Sequence, residues 1–401
     1  MRVGVYFDDV TPEKGGASSI LRTIENELNK IQKKYELLIC FNGGRKYPYK
    51  SVNNGYTYIN VDRVRYKSIP KMFCKNAANS IRNVGLRLFY HAPRIYRESY
   101  LDYLATAEDI DIFWFTYPAD VDLSTPFIYT IWDIGHRVMP ACPETTKPLY
   151  RWSGHETQCA RMLAKASFIL TGNETGKKEI LDNYGIMEGK IRIVPFPISF
   201  FCYGDEEKPK FELPEKYFFY PAQFWPHKNH ICILKAVAKL RSEKKLDAHI
   251  ILTGSDKGNK AYIQSMAKKL GVEDLIHFAG FVSYEEMKYL YTHATGMIFA
   301  SLMGPNNIPP IEAVYLECPL LITDIPGHKE QMGEAAMYFD GYKEESLAGQ
   351  MEKLLSDPDA REKQIGKQAS KRQELIDYSY GDRIMEILDE FAMMERTWKD
   401  V

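Results

Sequence analysis

Apolar and polar positions alternate along the chain with two different periods. Val3, Val5, Tyr6 and Phe7 form a short apolar run over 1–7 that ends at Asp8-Asp9. A run of that length, bounded by turn residues, reads as a buried strand. Gly15-Gly16 follows, and then 18–30 carries Ile20, Leu21, Ile24 and Leu28 at helical spacing. Strand, glycine-containing loop and helix are the opening of a Rossmann-like unit. Further buried strands are predicted over 37–40, 112–115, 128–131, 168–171 and 191–194. Val194-Pro195-Phe196-Pro197 closes this half, and a polar stretch over 205–214 has no clear period. The pattern then restarts with a strand over 217–220, a helix over about 229–242, and strands over 249–253, 276–278, 296–299 and 320–323. A last helix, about 380–396, places Ile384, Leu388 and Phe391 on one face. The expected fold is α/β with mostly parallel sheets. It comprises a Rossmann-like domain over 1–198, a second over 199–379, and a helix over 380–401 that is a candidate for crossing back to the first. Two such domains face each other across a central cleft, at the carboxyl ends of their strands.

The chain is 401 residues long, enough for two domains and two full cores without a disulfide staple. Its 52 basic and 53 acidic residues leave a formal net charge of −1, which argues against a generally basic nucleic-acid binder. The 7 cysteines are scattered, with no C-x-x-C pair, as expected of a reducing compartment and not of a zinc site. The opening residues run directly into the first strand, so no signal peptide is expected. No apolar stretch approaches the roughly 18 residues of a membrane span. A cytoplasmic protein is expected, soluble or peripheral on the inner face of the plasma membrane.

One segment stands apart. Residues 63–97 hold nine basic side chains and no acidic one. Phe73, Ala77, Ile81, Val84 and Leu88 make a helical stripe, with Lys71, Lys75 and Arg82 on the opposite side. A basic amphipathic helix can lie on an anionic membrane surface. It can equally be a solvated helix packed on the first domain, since most surface helices are amphipathic.

Candidate chemistry concentrates in two strand-to-helix loops of the second half. In Tyr220-Pro221-Ala222-Gln223-Phe224-Trp225-Pro226-His227-Lys228-Asn229-His230, Lys228 stands just before a helix N-terminus, and both attract an anion. In Gly304-Pro305-Asn306-Asn307-Ile308-Pro309-Pro310-Ile311-Glu312-Ala313, the asparagines are capping-type residues and the prolines suit a first helical turn. Glu312 is expected in that first turn. There it either complements the helix dipole or clamps a vicinal diol, because one carboxylate accepts several hydroxyl bonds.

These stretches, together with Gly15-Gly16, Trp132-Asp133-Ile134-Gly135-His136, Ile193-Val194-Pro195 and Gly280-Phe281-Val282-Ser283, resemble glycosyltransferase family 4. That family has the GT-B architecture and comprises retaining enzymes that act on nucleotide sugars. The resemblance implies a nucleotide-sugar-binding second domain and an acceptor-binding first domain. Lys228 would bind the donor diphosphate, beside Gln223 where the family usually has arginine. Glu312 would hold the ribose, Phe281 and Val282 would border the base, and the amides around Asn307 and Ile308 would approach the diphosphate and donor sugar. Gly16 would let the first loop come close to the donor. The implied activity moves a hexose-type sugar to a hydroxyl of a glycan or lipid-linked acceptor, in surface polysaccharide or glycolipid assembly. It would do so with no cofactor and no bound metal.

Two departures from the family pattern matter. Its first glutamate falls at Gly304, so the sugar contact must come from elsewhere, with Asn306 and Asn307 as candidates. Its first-domain histidine falls at Trp132, which leaves Asp133 and His136 as candidate catalytic residues. Asp109-x-Asp111 directly precedes a buried strand and is not read as a metal site, nor is Asp8-Asp9. Gly15-Gly16 is not the G-x-G-x-x-G fingerprint of a dinucleotide enzyme. Two alternative readings share the architecture: a nucleotide-sugar 2-epimerase, and a catalytically weak nucleotide-sugar-binding partner subunit.

Overall fold

The computed structural model describes residues 1–7, 16–42, 48–53, 55–63, 100–121, 123–146 and 152–399. The loop carrying Asp8, Asp9 and Gly15 and nearly all of the basic 63–97 segment lie outside the described residues.

The first half forms an eight-stranded sheet. Its strands are β1 (Arg2–Phe7), β2 (Glu36–Phe41), β3 (Lys50–Asn53), β4 (Tyr56–Asn60), β5 (Ile112–Phe115), β6 (Phe127–Thr130), β7 (Phe168–Thr171) and β8 (Ile191–Ile193), in the order β3-β4-β2-β1-β5-β6-β7-β8. The described helices of this half are α1 (Gly16–Gln32), α2 (Tyr100–Ala107), α3 (Gly135–Val138), α4 (Pro143–Thr146), α5 (Trp152–Lys165) and α6 (Glu174–Tyr184). Alternate residues of the strands face opposite layers, the period of an extended chain. Val3, Val5 and Trp114 pack into one buried cluster with Ile24 and Leu28 of α1. Tyr6, Phe113 and Phe115 pack into another with Met162 and Leu163 of α5. A sheet covered on both faces explains the near-continuous apolar strands.

The second half forms a six-stranded sheet of β9 (Tyr217–Pro221), β10 (His249–Thr253), β11 (Ile276–Gly280), β12 (Gly296–Phe299), β13 (Leu320–Thr323) and β14 (Met337–Phe339), in the order β11-β10-β9-β12-β13-β14. Its helices are α7 (His230–Lys239), α8 (Lys260–Lys269), α9 (Tyr284–His293), α10 (Ile308–Tyr315), α11 (Pro326–Met332), α12 (Glu344–Ser356), α13 (Ala360–Asp377) and α14 (Tyr380–Lys399). Every pairing in this sheet is parallel. In the first sheet the β3·β4 hairpin is antiparallel.

Three strands, β3, β4 and β14, escape the apolar pattern. β3 is exposed throughout and has no buried face to mark it. The Asn54-Gly55 pair before β4 is the hairpin signal that could have found it, and Gly55 turns with φ +80°. β14 is a three-residue edge strand.

The chain ends on the first half. Ile384 and Leu388 of α14 are fully buried, Tyr380 stacks on Trp114 with ring centroids 6.2 Å apart, and Tyr35 and Lys34 both bond Asp389. At the other side of the junction, the Tyr378 hydroxyl donates to the Pro195 carbonyl at 3.0 Å.

The Asp109-x-Asp111 pair sits in the turn before β5. Asp111 accepts the Arg2 backbone N–H at 2.7 Å and Asp109 takes φ +50°. Because β1 and β5 run parallel, this turn lies at the amino end of the strands, opposite the cleft.

Candidate functional site

Three loops at the carboxyl ends of β6, β9 and β12 bring the two halves together. They enclose a cavity of about 320 Å³. Trp132, Asp133 and His136 line it from the first half, and Trp225, His227 and Met303 line it from the second. The fit is close: a Cβ on Gly135 would lie 2.2 Å from the Met303 sulfur, so glycine there lets the loops touch.

The lysine loop is held at several points. Pro226–Lys228 forms one 3-10 turn and Asn229 follows in the left-handed region at φ 54°, before α7. Asparagine tolerates that region better than most residues. The Tyr220 hydroxyl donates to the Lys228 carbonyl at 2.7 Å, and the Asn229 amide donates to the Gly341 carbonyl at 2.8 Å. The Lys228 side chain is half-buried over the Phe299 ring, 5.0 Å from its centroid. Its ammonium reaches Ser301 Oγ at a long 3.4 Å. Burial pulls its pKa down to about 8, against the opposing pull of Asp133 and Glu144. Gln223 accepts the Trp225 indole N–H at 3.0 Å and adds no charge at the family's arginine position.

The second loop departs from the sequence expectation in three ways. Glu312 is the fifth residue of α10, past its first turn, and is buried. Its carboxylate accepts bonds from Ser199 Oγ at 2.5 Å and Tyr291 OH at 2.6 Å. The helix-dipole reading therefore fails, and a diol would have to bind beside these hydroxyls. Burial pushes the Glu312 carboxyl up, while the two hydroxyls work against it.

Next, Asn307 occupies the N-cap position of α10 but its side chain does not cap the helix. It donates to the Gly304 carbonyl at 2.9 Å and meets His328 Nε2 at 3.1 Å. Its backbone N–H, expected to approach the diphosphate, donates to Gln331 Oε1 at 3.1 Å. Pro309 and Pro310 have no N–H, so in the first turn Ile308 and Ile311 alone carry donors. His328 is fully buried with its pKa pulled down to about 4 by that burial. It serves the loop as a neutral ring.

Finally, Asn306 turns to the first half. It packs on Gly172, where a Cβ would lie 2.0 Å from its amide nitrogen, and lines a different cavity with Glu330 and Gln331. Gly304, at the family's glutamate position, has φ +108°. That backbone suits glycine, and a Cβ would meet the Asn307 side chain at 2.9 Å.

Among the remaining candidates, Gly16 opens α1. Phe281 is 66% exposed just beyond β11, beside buried Val282. Asp133 is exposed and accepts the Gly135 N–H at 2.8 Å. His136 reaches the cavity, but its Nε2 is held by Tyr184 OH at 3.1 Å and Glu156 at 3.2 Å. Burial lowers its pKa, against the pull of Glu156, so the ring is neutral near pH 7.

The sequence reading missed the groups that join the halves. Glu144 of α4 bonds His227 across the cleft. Glu330 of α11 accepts the Glu174 and Thr175 N–H groups at 2.7 and 2.8 Å, capping α6 from the other half. Asn173 donates to the Pro305 carbonyl at 2.5 Å. No spacing rule links residues so far apart in sequence. Among the described residues no group of histidines, cysteines and carboxylates could hold a metal, and no helix is long and apolar enough to cross a membrane.

Residues 205–372 match the family described as glycosyl transferases group 1. The O-antigen chain mannosyltransferase RfbU of Salmonella typhimurium is 27% identical over 202 residues, 49% of this chain and 53% of that protein. The O-antigen chain mannosyltransferase B of Escherichia coli is 24% identical over 232 residues, 55% of this chain and 60% of that protein. The chain thus spans about half the length of the curated relatives it matches. Among solved structures, sucrose-phosphate synthase from Thermosynechococcus elongatus superposes with a TM-score of 0.70 at 11% identity, covering 99% of each chain. WaaG, a glycosyltransferase involved in lipopolysaccharide biosynthesis, does so with a TM-score of 0.66 at 13% identity, covering 96% of this chain and 98% of that one. At such identities these likenesses speak for the fold. Two mostly parallel sheets across a cleft, with the lysine and proline-rich loops beside it, give this chain the GT-B fold, and its residues 205–372 match the glycosyl transferases group 1 family.

Proposed function

We propose that the protein transfers a sugar from a nucleotide diphosphate sugar to a hydroxyl of a glycan or lipid-linked acceptor, in the assembly of a surface polysaccharide or glycolipid. The observation that carries this reading is the half-buried Lys228 ammonium beside the cleft, held over an aromatic ring and, among the described residues, reaching only Ser301 at a long distance. When the donor's glycosidic bond breaks, negative charge grows on the diphosphate while the sugar becomes oxocarbenium-like. A preorganised cation at that point stabilises the transition state more than the ground state. The Ile308 N–H, at the start of α10, is suited to assist.

Glu312 takes the donor ribose by accepting its hydroxyls beside those of Ser199 and Tyr291, since an ionised carboxylate has about four acceptor positions. Phe281 and Val282 border the base. Asp133 and His136, with Trp132 and Trp225, line the acceptor side, where indole faces suit a sugar ring. Attack is from the face the leaving group departs, with its oxygen taking the acceptor proton, so configuration is retained. The reaction runs without bound metal, Lys228 supplying the charge. RfbU and the E. coli protein being named mannosyltransferases supports a hexose donor and speaks against the epimerase. The deciding experiment incubates the protein with UDP-, GDP- and dTDP-sugars and follows donor hydrolysis and transfer. Turnover of none of them would leave a binding subunit in place of an enzyme.

Attachment to an anionic membrane through 63–97 is a separate proposal, resting on the nine unopposed basic residues. Vesicles with anionic lipid should retain the protein, and added salt should release it, because the attraction is screened over about 8 Å at physiological ionic strength. Equal retention on neutral vesicles would refute it.

A further inference from the structure

We propose that Glu144 is a positioning residue for Lys228, reaching across the cleft to hold His227 and thereby the loop that carries the lysine. The proposal rests on the diphosphate reading of Lys228. Glu144 is the second residue of the short helix α4 in the first half and is buried. One of its carboxylate oxygens, Oε1, receives both the backbone N–H of His227 at 3.2 Å and the His227 ring at Nδ1. The other accepts the Cys142 thiol at 2.8 Å. Two bonds on one oxygen fix the residue before the lysine at its main chain and at its side chain together. The His227 carbonyl takes the Leu302 N–H at 3.0 Å, and the carbonyls and amide of 228 and 229 are tied within the second half. The N–H side of residue 227 is thus secured from the opposite half of the molecule.

Electrostatics cut both ways here, since the Glu144 charge also helps keep Lys228 protonated. Burial pushes the Glu144 carboxyl up, but bonds from His227 and Cys142 outweigh it and hold it at about 2, so it is ionised at neutral pH. His227 is driven down by burial and by its neighbour Lys228, so a neutral ring donates its N–H. A buried negative charge near an anion-binding lysine repels the anion. Its presence there is accounted for by geometry: the bond ties the lysine loop to the first half. The same helix also walls the cavity through Glu144 and Thr145, so the first half and the lysine meet at this bond.

At about pH 6, well below the Lys228 value of about 8, the lysine stays protonated and charge and geometry predict opposite signs. The probe is inorganic pyrophosphate, titrated calorimetrically into wild type, Lys228→Ala, Glu144→Leu, Glu144→Gln, His227→Ala and the Glu144→Leu/His227→Ala double variant. Glu144→Leu removes both the acceptor and the negative charge, and should weaken binding about tenfold or more. Glu144→Gln keeps an acceptor oxygen and removes the charge, and should bind at least as tightly as wild type. In the His227→Ala background Glu144→Leu should cost less than in wild type, because only the bond to the main-chain N–H of residue 227 is left to lose. Glu144→Leu binding as tightly as wild type, or more tightly, overturns the proposal, as does a loss that is undiminished in the His227→Ala background. Lys228→Ala binding like wild type would overturn the diphosphate reading and this proposal with it. If Lys228→Ala weakens binding while Glu144→Leu does not, only the positioning role falls. Thermal unfolding checks each variant's fold. Should Glu144→Leu fail to fold, His227→Leu reads the same bond from the other side, and unweakened binding there refutes it.

Discussion

The two second-half loops at the cleft are built on opposite principles. The lysine loop fixes its backbone firmly and leaves its charged tip almost unmatched: Lys228 reaches a single hydroxyl at 3.4 Å, and its pKa falls to about 8. In the proline-rich loop Asn307 and Glu312 are already matched, although the buried Asn306 amide nitrogen has no partner among the described residues. Asn307 bonds Gly304, His328 and Gln331, and Glu312 bonds Ser199 and Tyr291. A group under-matched by the protein's own atoms gains most from a ligand. A group already matched mainly holds shape. Under the proposed function, the first loop supplies charge stabilisation and the second the pocket architecture.

Lys228→Ala is the strongest test of that division. Turnover of the nucleotide sugar, read as kcat/KM, should fall roughly 100-fold or more, about 2.7 kcal/mol. The unfolding midpoint should hardly move. Near-normal turnover would erase the distinction between the loops.

Glu312→Gln should cost less in function and more in shape. Donor affinity should fall by about tenfold, as for loss of one charge-assisted bond of about 1.5 kcal/mol. The loss should shrink with a 2′,3′-dideoxy nucleotide. An equal loss with both nucleotides would leave Glu312 a purely structural residue. The pH response gives a second reading. Because burial raises its pKa in the folded protein, Glu312 contributes stability at low pH that is lost as pH rises through its folded value. The glutamine variant should lack that component in urea unfolding curves taken across acid pH.

The lysine has the converse signature. Its folded pKa of about 8 lies below its ordinary value, so between the two the unfolded chain binds more protons. Stability of the empty protein should rise with pH over that window, an increment absent from Lys228→Ala. Pyrophosphate affinity should fall over the same window, by at most about tenfold per pH unit, as the ammonium loses its proton. Affinity that is flat from pH 7 to 10 would place the anion elsewhere.

The smallest expected effect is none. Transfer in excess EDTA should match the untreated rate if, as proposed, Lys228 supplies the charge that a metal would. Loss of activity restored by Mg2+ or Mn2+ would defeat that assignment.

Local pattern carried much of the fold. Apolar runs marked β1, β5, β7, β10, β12 and β13 within a residue or so, because strands buried on both faces need unbroken apolar sequence. It was silent on β3, which is exposed on both faces. In the site, the sequence determined the residue types at the cleft: Lys228 before a helix, and glycine at 304 where φ is +108°.

Which polar groups remain available was decided by tertiary structure alone. Glu312 meets Ser199, 113 residues away, and Glu144 meets His227, 83 residues away. A carboxylate's role depends on the donors that reach it. Those donors are delivered by the packing of two sheets, which no local spacing encodes.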